Sequence, residues 1–183
     1  MGREPPSFCH YCGGALSSID PPSVHTCDSC GEHVFYHPTP CSRLAVLDGD
    51  ALLLVKVDVP DQNLWGTPGG MVEIGEDPDE AGARELEEET TLVVKPEDLV
   101  WFDARTFPKF GIFHKTYLCY AVDAADVSGT PQADNEVADA RFWTVDELES
   151  SDARLLTSWP SEYKRLRWWV ESARAALDST RAA

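Results

Sequence analysis

Gly70 to Leu92 read GMVEIGEDPDEAGARELEEETTL, and the chemistry of this stretch decides how the rest of the chain is read. Asp77 is a good helix N-cap, Pro78 suits the first helical position, and Glu80 stands third, where its carboxylate closes a capping box. Ala81 to Glu89 are mostly strong helix formers. On that helix Glu85, Glu88 and Glu89 fall at i, i+3 and i+4, so their carboxylates share one face while Ala83 and Leu86 turn toward a core. Like charges so placed destabilise an isolated helix by roughly 0.2–0.5 kcal/mol per pair. Hard divalent cations with oxygen ligands are the obvious compensation. A merely solvated acidic face is the competing reading. Gly82 costs this helix about 1 kcal/mol relative to alanine, with nothing in the sequence to account for it.

Working outward, Leu64-Trp65-Gly66-Thr67-Pro68-Gly69-Gly70-Met71-Val72 is a glycine-rich entry to a short strand or bulge. Before it, Arg43–Leu47 and Ala51–Val57 are apolar runs joined by Asp48-Gly49-Asp50, the signature of a hairpin. Downstream, Leu99–Thr106, Ile112–Val122 and Ala140–Trp143 read as strands, rich in aromatic and β-branched residues. Thr144 caps a brief helix through Leu148, and a last helix is expected from Ser161 to about Leu177. The order of elements implies an α+β fold, a mixed β-sheet between helices.

Residues 1 to about 38 lack apolar periodicity and need a staple to fold. Cys9-x2-Cys12 and Cys27-x2-Cys30 supply it: two tight thiolate pairs, the donor set of a closed tetrahedral zinc site. A redox dithiol or disulfides fit a doubled pair in a reducing compartment less well. Gly13-Gly14 and Gly31 follow the pairs and allow a turn with N–H groups aimed at sulfur. A closed site has no open coordination position, so Zn²⁺ here is structural. Cys41 and Cys119 read as small core hydrophobes.

The chain has 183 residues, with 32 Asp and Glu against 15 Lys and Arg, a formal net charge of −17. Such a charge repels phosphate backbones and anionic membranes, so neither nucleic acid nor membrane is an expected partner. Acidic, lysine-poor surfaces resemble those of proteins from salt-loving organisms, where concentrated salt screens self-repulsion. No stretch approaches the roughly 20 apolar residues of a membrane helix, and Met1 to Pro6 lack a signal-peptide core, so a cytoplasmic location is the expectation.

Gly70, five residues, Glu76, seven residues, then Arg84-Glu85-Leu86-x-Glu88-Glu89-x-Thr91-Leu92 resembles the Nudix box at every defining position but one. The flanking Leu64–Gly70 and Ala140–Leu148 segments resemble Nudix segments as well. The resemblance implies the Nudix fold, an α-β-α sandwich, and divides the chain into a zinc ribbon at 1–38, a Nudix hydrolase domain at 39–150 and a C-terminal helix at 151–183 packed on it. It implies Mg²⁺ or Mn²⁺ bound by Glu85, Glu88 and Glu89, with Arg84 orienting a box glutamate and Gly70 and Glu76 completing the loop-helix-loop. Glu136, before the last strand, is the candidate for a late carboxylate acting as ligand or general base. The departure is Thr91, where the family has glycine. Either a β-branched residue tolerates left-handed backbone there, at about 1–2 kcal/mol, or the exit turn differs.

The implied reaction is hydrolysis of the diphosphate in a nucleotide-containing small molecule. A ribbon before such a domain resembles NADH pyrophosphatases, but their Ser-Gln-Pro-Trp element is missing from Arg105-Thr106-Phe107-Pro108-Lys109-Phe110-Gly111. Pro108, about 16 residues past the box, resembles ADP-ribose pyrophosphatases instead. The reading therefore leans to ADP-ribose, cut to AMP and ribose 5-phosphate, ahead of NADH or NAD. Trp65, Phe107 and Phe110, with Pro108, are the expected side chains around a base. Trp159, Trp168 and Trp169 serve either core packing or a homodimer face. An inactive domain acting as a nucleotide- or nucleic-acid-binding regulator is the reading from another class, and the intact glutamates weigh against it.

Overall fold

Gly49, at φ +55°, turns the chain between two strands whose apolar residues alternate from face to face. The computed structural model describes residues 6–17, 24–109, 113–134, 137–156 and 162–182, the side chains of 107–109, 113 and 162–164 excepted. Glu136 and Phe110, and the side chains of Phe107 and Pro108, lie outside the described residues, as does Trp159. By their contacts the residues form two units, 1–39 with 106–115, and 40–105 with 116–183.

In the first unit β1 (Val24–Thr26) and β2 (His33–Phe35) pair antiparallel, Val24 opposite Phe35. Among its described residues the buried apolar ones are Cys9, Cys27 and Val34, with Leu16 and Tyr36 half-buried against them. So small a cluster cannot offset the entropy of ordering the segment.

The other strands are β3 (Thr39–Asp48), β4 (Ala51–Val57), β5 (Leu64–Gly66), β6 (Val100–Lys109), β7 (Phe113–Asp123), β8 (Val137–Trp143) and β9 (Arg154–Leu155). They run β6-β7-β3-β4-β5-β9, with β8 against β4 from Leu52↔Trp143 to Val57↔Val137. The sheet is mixed because β5 and β9 are parallel, Trp65 opposite Leu155. Helices α1 (Pro78–Thr90), α2 (Val145–Glu149) and α3 (Glu162–Arg181) complete the fold.

Leu53 joins Leu44, Val46, Leu86, Leu92 and Val122 in a core beneath α1. Leu52 and Leu54 point the other way, to a cavity shared with Leu166 and Trp169 of α3. Helices thus cover both faces, and Trp169 is a core residue, 2% exposed, edge-on to Phe102. Among the described residues no helix is long and apolar enough to cross a membrane.

Two oddities of α1 have physical reasons. At Gly82 a Cβ would lie 2.5 Å from Leu44 Cδ1 and 2.7 Å from Ser42 Oγ, so any side chain there requires the buried Leu44 and Ser42 side chains of β3 to shift. Gly82→Ala is therefore expected to destabilise the protein by about 1–3 kcal/mol through overpacking, despite alanine's better helix propensity. Urea unfolding of the variant checks this, and a stabilised variant would refute it. Thr91 ends α1 at φ 59°, ψ 8°, its N–H donating to the Glu87 carbonyl. The exit turn is thus the left-handed one that glycine prefers, and threonine bears the strain. Thr91→Gly is expected to stabilise by about 1 kcal/mol, the relieved strain less glycine's unfolded-state entropy. A melting temperature unchanged or lowered would contradict this.

Candidate catalytic and metal sites

The Pro68–Val72 segment lies along β3 like a further strand. Leu44 N–H donates to the Pro68 carbonyl, Ser42 N–H to Gly70, and Val72 N–H to Pro40. This fastens the glycine-rich loop beside the helix that carries the glutamates. Gly69 sits at φ +129°, where a Cβ would lie 2.3 Å from the Ser42 carbonyl oxygen. Gly70 is required for another reason: a Cβ there would lie 2.1 Å from a Glu85 carboxylate oxygen. The loop thus leaves a berth for one glutamate. It also holds a second, since Gly69 N–H donates to Glu89 Oε2 at 2.8 Å.

Arg84 organises the remainder. Its guanidinium bonds both Glu76 oxygens, at 2.8 and 3.1 Å, then Glu85 Oε1 at 3.0 Å, Glu88 Oε2 at 3.1 Å and the Met71 carbonyl at 3.1 Å. The hydrogen bonds from Arg84 hold the Glu76 carboxyl below the usual carboxylate range, against the opposing effect of burial. Arg84 in turn is held charged, first by Glu76. The box arginine therefore bridges the loop glutamate and two helix glutamates. Its part in offsetting their repulsion is what the sequence alone assigned to a cation.

Among the described residues the group of three or more ligand atoms lying within 4.8 Å of one another is the four-thiol cluster, not the glutamates. Glu85, Glu88 and Glu89 share a face as expected but are not drawn into one knot. Hard carboxylate oxygens on a loop-helix scaffold fit Mg²⁺ or Mn²⁺. A carboxylate offers about four lone pairs, so the bonds from Arg84 and Gly69 do not exclude an ion.

At the other site Cys9 and Cys30 Sγ are 3.8 Å apart and Cys12 and Cys27 Sγ 3.7 Å. A disulfide needs about 2.05 Å, whereas thiolates bound tetrahedrally at about 2.3 Å to zinc lie about 3.8 Å apart. Gly13 and Gly31 take φ +74° and +77°, and Gly14 N–H donates to Cys12 Sγ at 3.4 Å, the turns their positions implied. Backbone N–H groups of Cys30 and Ser29 lower the Cys27 thiol to about 7. At Cys30 a backbone bond from Glu32 acts downward but is outweighed by burial and the other three sulfurs, which push it up to about 12. Structural zinc is bound tetrahedrally by four such cysteine sulfurs. The donor set fits zinc.

Trp65 departs from expectation. It is 3% exposed, edge-on to Trp143, with its indole N–H donated to Asn63. It builds the core instead of offering a face to a base.

The NUDIX domain family matches residues 38–169. The chain belongs to the NUDIX family. Among NUDIX relatives, it is 28% identical over 147 residues to the NAD-capped RNA hydrolase NudC of Stutzerimonas stutzeri, covering 80% of this chain and 51% of that protein. It is also 28% identical over 143 residues to NudC of Edwardsiella ictaluri, covering 77% and 52%. The chain spans about half the length of the curated relatives it matches. The NUDIX hydrolase of Nitrosomonas europaea superposes with a TM-score of 0.66 at 18% identity, over 92% of this chain and 93% of that one. The MutT NUDIX hydrolase of Burkholderia pseudomallei gives 0.59 at 22%, over 75% and 98%. These structures bear out the fold, a mixed sheet flanked by helices.

Proposed function

We propose that the chain is a divalent-metal-dependent pyrophosphohydrolase that cuts an NAD-type dinucleotide at its diphosphate. Water adds across the P–O–P bridge to leave AMP and nicotinamide mononucleotide. The carrying observation is the Arg84-centred array of Glu76, Glu85 and Glu88, completed by Glu89 on the Gly69 N–H.

In this reading Glu85, Glu88 and Glu89 hold Mg²⁺ or Mn²⁺, which when bound supplies charge neutralisation on the diphosphate and a lowered pKa for water. Arg84 fixes the carboxylates, and Gly70 gives Glu85 room. Glu136 is the proposed late carboxylate. It stands two residues beyond Asp134, whose N–H donates to the Glu89 carbonyl at the end of α1. Phe107, Pro108 and Phe110 remain the proposed wall for a base. The ribbon (1–38) is structural, the catalytic domain spans 39–150, and the C-terminal helix (151–183) packs on it.

The NudC relatives move NAD ahead of ADP-ribose, which the missing Ser-Gln-Pro-Trp element had favoured. They are named for a nucleic-acid substrate, so the expectation against a nucleic-acid partner does not carry over. The −17 charge nonetheless favours the free dinucleotide over an RNA end. Side-by-side kcat/KM values for NAD, NADH and ADP-ribose with Mn²⁺ test the assignment. The dinucleotides should exceed ADP-ribose, and the reverse order would restore the ADP-ribose reading.

A further inference from the structure

The four ribbon cysteines differ in their access to solvent, and the difference is ordered. Among the described residues the first unit holds two turns of one design. Phe8 pairs with Ala15 around the turn Cys9–Gly14, and β1 pairs with β2 around the turn Cys27–Glu32. In each turn the N–H of the first cysteine donates to the carbonyl five residues on, Cys9 to Gly14 and Cys27 to Glu32, both at 2.8 Å. That first cysteine is buried, Cys9 being 2% and Cys27 1% exposed, whereas the second, Cys12 or Cys30, is exposed. The close sulfur contacts cross from one turn to the other, Cys9 to Cys30 at 3.8 Å and Cys12 to Cys27 at 3.7 Å. Each contact therefore joins a sheltered sulfur to one that solvent reaches.

The thiolate is the form of cysteine that binds metal and also the form that peroxides oxidise, at sites set by exposure. We propose that Cys12 and Cys30 are oxidation sites for hydrogen peroxide, with Cys27 and Cys9 as their resolving partners, so that the ribbon can exchange its zinc for two disulfides, Cys12–Cys27 and Cys9–Cys30. This rests on the zinc reading of the four-sulfur site and goes beyond the diphosphatase reading.

At an exposed sulfur the thiolate attacks one peroxide oxygen, the O–O bond breaks, hydroxide leaves, and the cysteine becomes a sulfenic acid. The buried thiolate then attacks that sulfur, the S–O bond breaks, and a second hydroxide leaves as the disulfide forms. Four thiolates are oxidised and two peroxides reduced, giving two disulfides and four hydroxides. Zinc, left without thiolate ligands, departs. Each contact must close from 3.7 or 3.8 Å to the bonded length of about 2.05 Å. The new bonds span 21 and 15 residues and tie one turn to the other. Bonds within Cys9–Cys12 and Cys27–Cys30 would leave the two turns unlinked.

The test treats the zinc-loaded full chain with hydrogen peroxide, follows released zinc with a colour-forming chelator, and maps disulfides by peptide mass spectrometry. The bound zinc should be lost as the two cross-turn disulfides appear, and a dithiol reductant with added zinc should restore the starting state. Cys41 and Cys119, 0% and 2% exposed, are the internal controls and should react at least about tenfold more slowly. Disulfides within each turn, sulfinic acids in place of disulfides, or zinc held until Cys41 and Cys119 have reacted would overturn the proposal. A reduced chain that binds no zinc but forms the two cross-turn disulfides would sink the zinc reading and leave the oxidation sites standing.

Discussion

Glu89→Gln is expected to lower kcat by more than about a hundredfold while leaving the fold intact. Glutamine keeps a carbonyl oxygen that can accept the Gly69 N–H bond now made to Glu89 Oε2, so the loop stays fastened to α1. What disappears is the negative charge. Changing an outer-shell partner of a bound metal typically costs about 10–100-fold, and loss of a proposed ligand should exceed that. Glu88→Gln should behave alike, and the double variant should lose little beyond the worse single one, because groups that act as a unit are not additive. Full activity in a folded Glu89→Gln protein would remove this carboxylate from the site. Circular dichroism and thermal melting, run on the same samples, separate a chemical defect from unfolding.

Replacing Cys9 and Cys27 by serine should abolish zinc binding and unfold the ribbon. Among the described residues of the first unit three are buried and apolar, two of them these cysteines, so little else there holds it. Structural zinc contributes apparent free energies of about 10–16 kcal/mol in small modules at neutral pH, far beyond what Val34 and its neighbours can supply. The wild type should hold one zinc per chain by elemental analysis, and the variant none. The Leu44–Leu86–Val122 core belongs to the second unit, so a cooperative melt should persist. A zinc-free chain whose ribbon amides remain protected from exchange would contradict the account.

The sequence made the box legible because its chemistry is local: a capping box, a glutamate face and glycines at fixed spacing. It made the ribbon legible because four sulfurs in two pairs allow few arrangements. Hairpin, α1 and α2 appear where propensity and turn chemistry agree, with the Thr144 side chain accepting the Glu147 N–H at the α2 cap. What escaped depends on tertiary proximity. The reason for Gly82 lies on β3, at Ser42 and Leu44. Trp65 carries the same side chain whether it faces a base or Trp143, and only its burial tells them apart. Local spacing offers the Arg84–Glu88 i,i+4 pair, but not that the same guanidinium also bonds Glu85, Glu76 and the Met71 carbonyl. The parallel β5–β9 pair escaped for the same reason, being only two residues deep.

The loop and helix around Arg84 are proposed to form a working diphosphatase. Its most direct measurement is the product analysis of NAD incubated with the purified, zinc-loaded chain and Mn²⁺, alongside Glu89→Gln. AMP and nicotinamide mononucleotide are expected in equal amounts, dependent on the divalent ion and nearly absent with the variant. Intact dinucleotide after prolonged incubation with the folded wild type, or equal product from the variant, would contradict it.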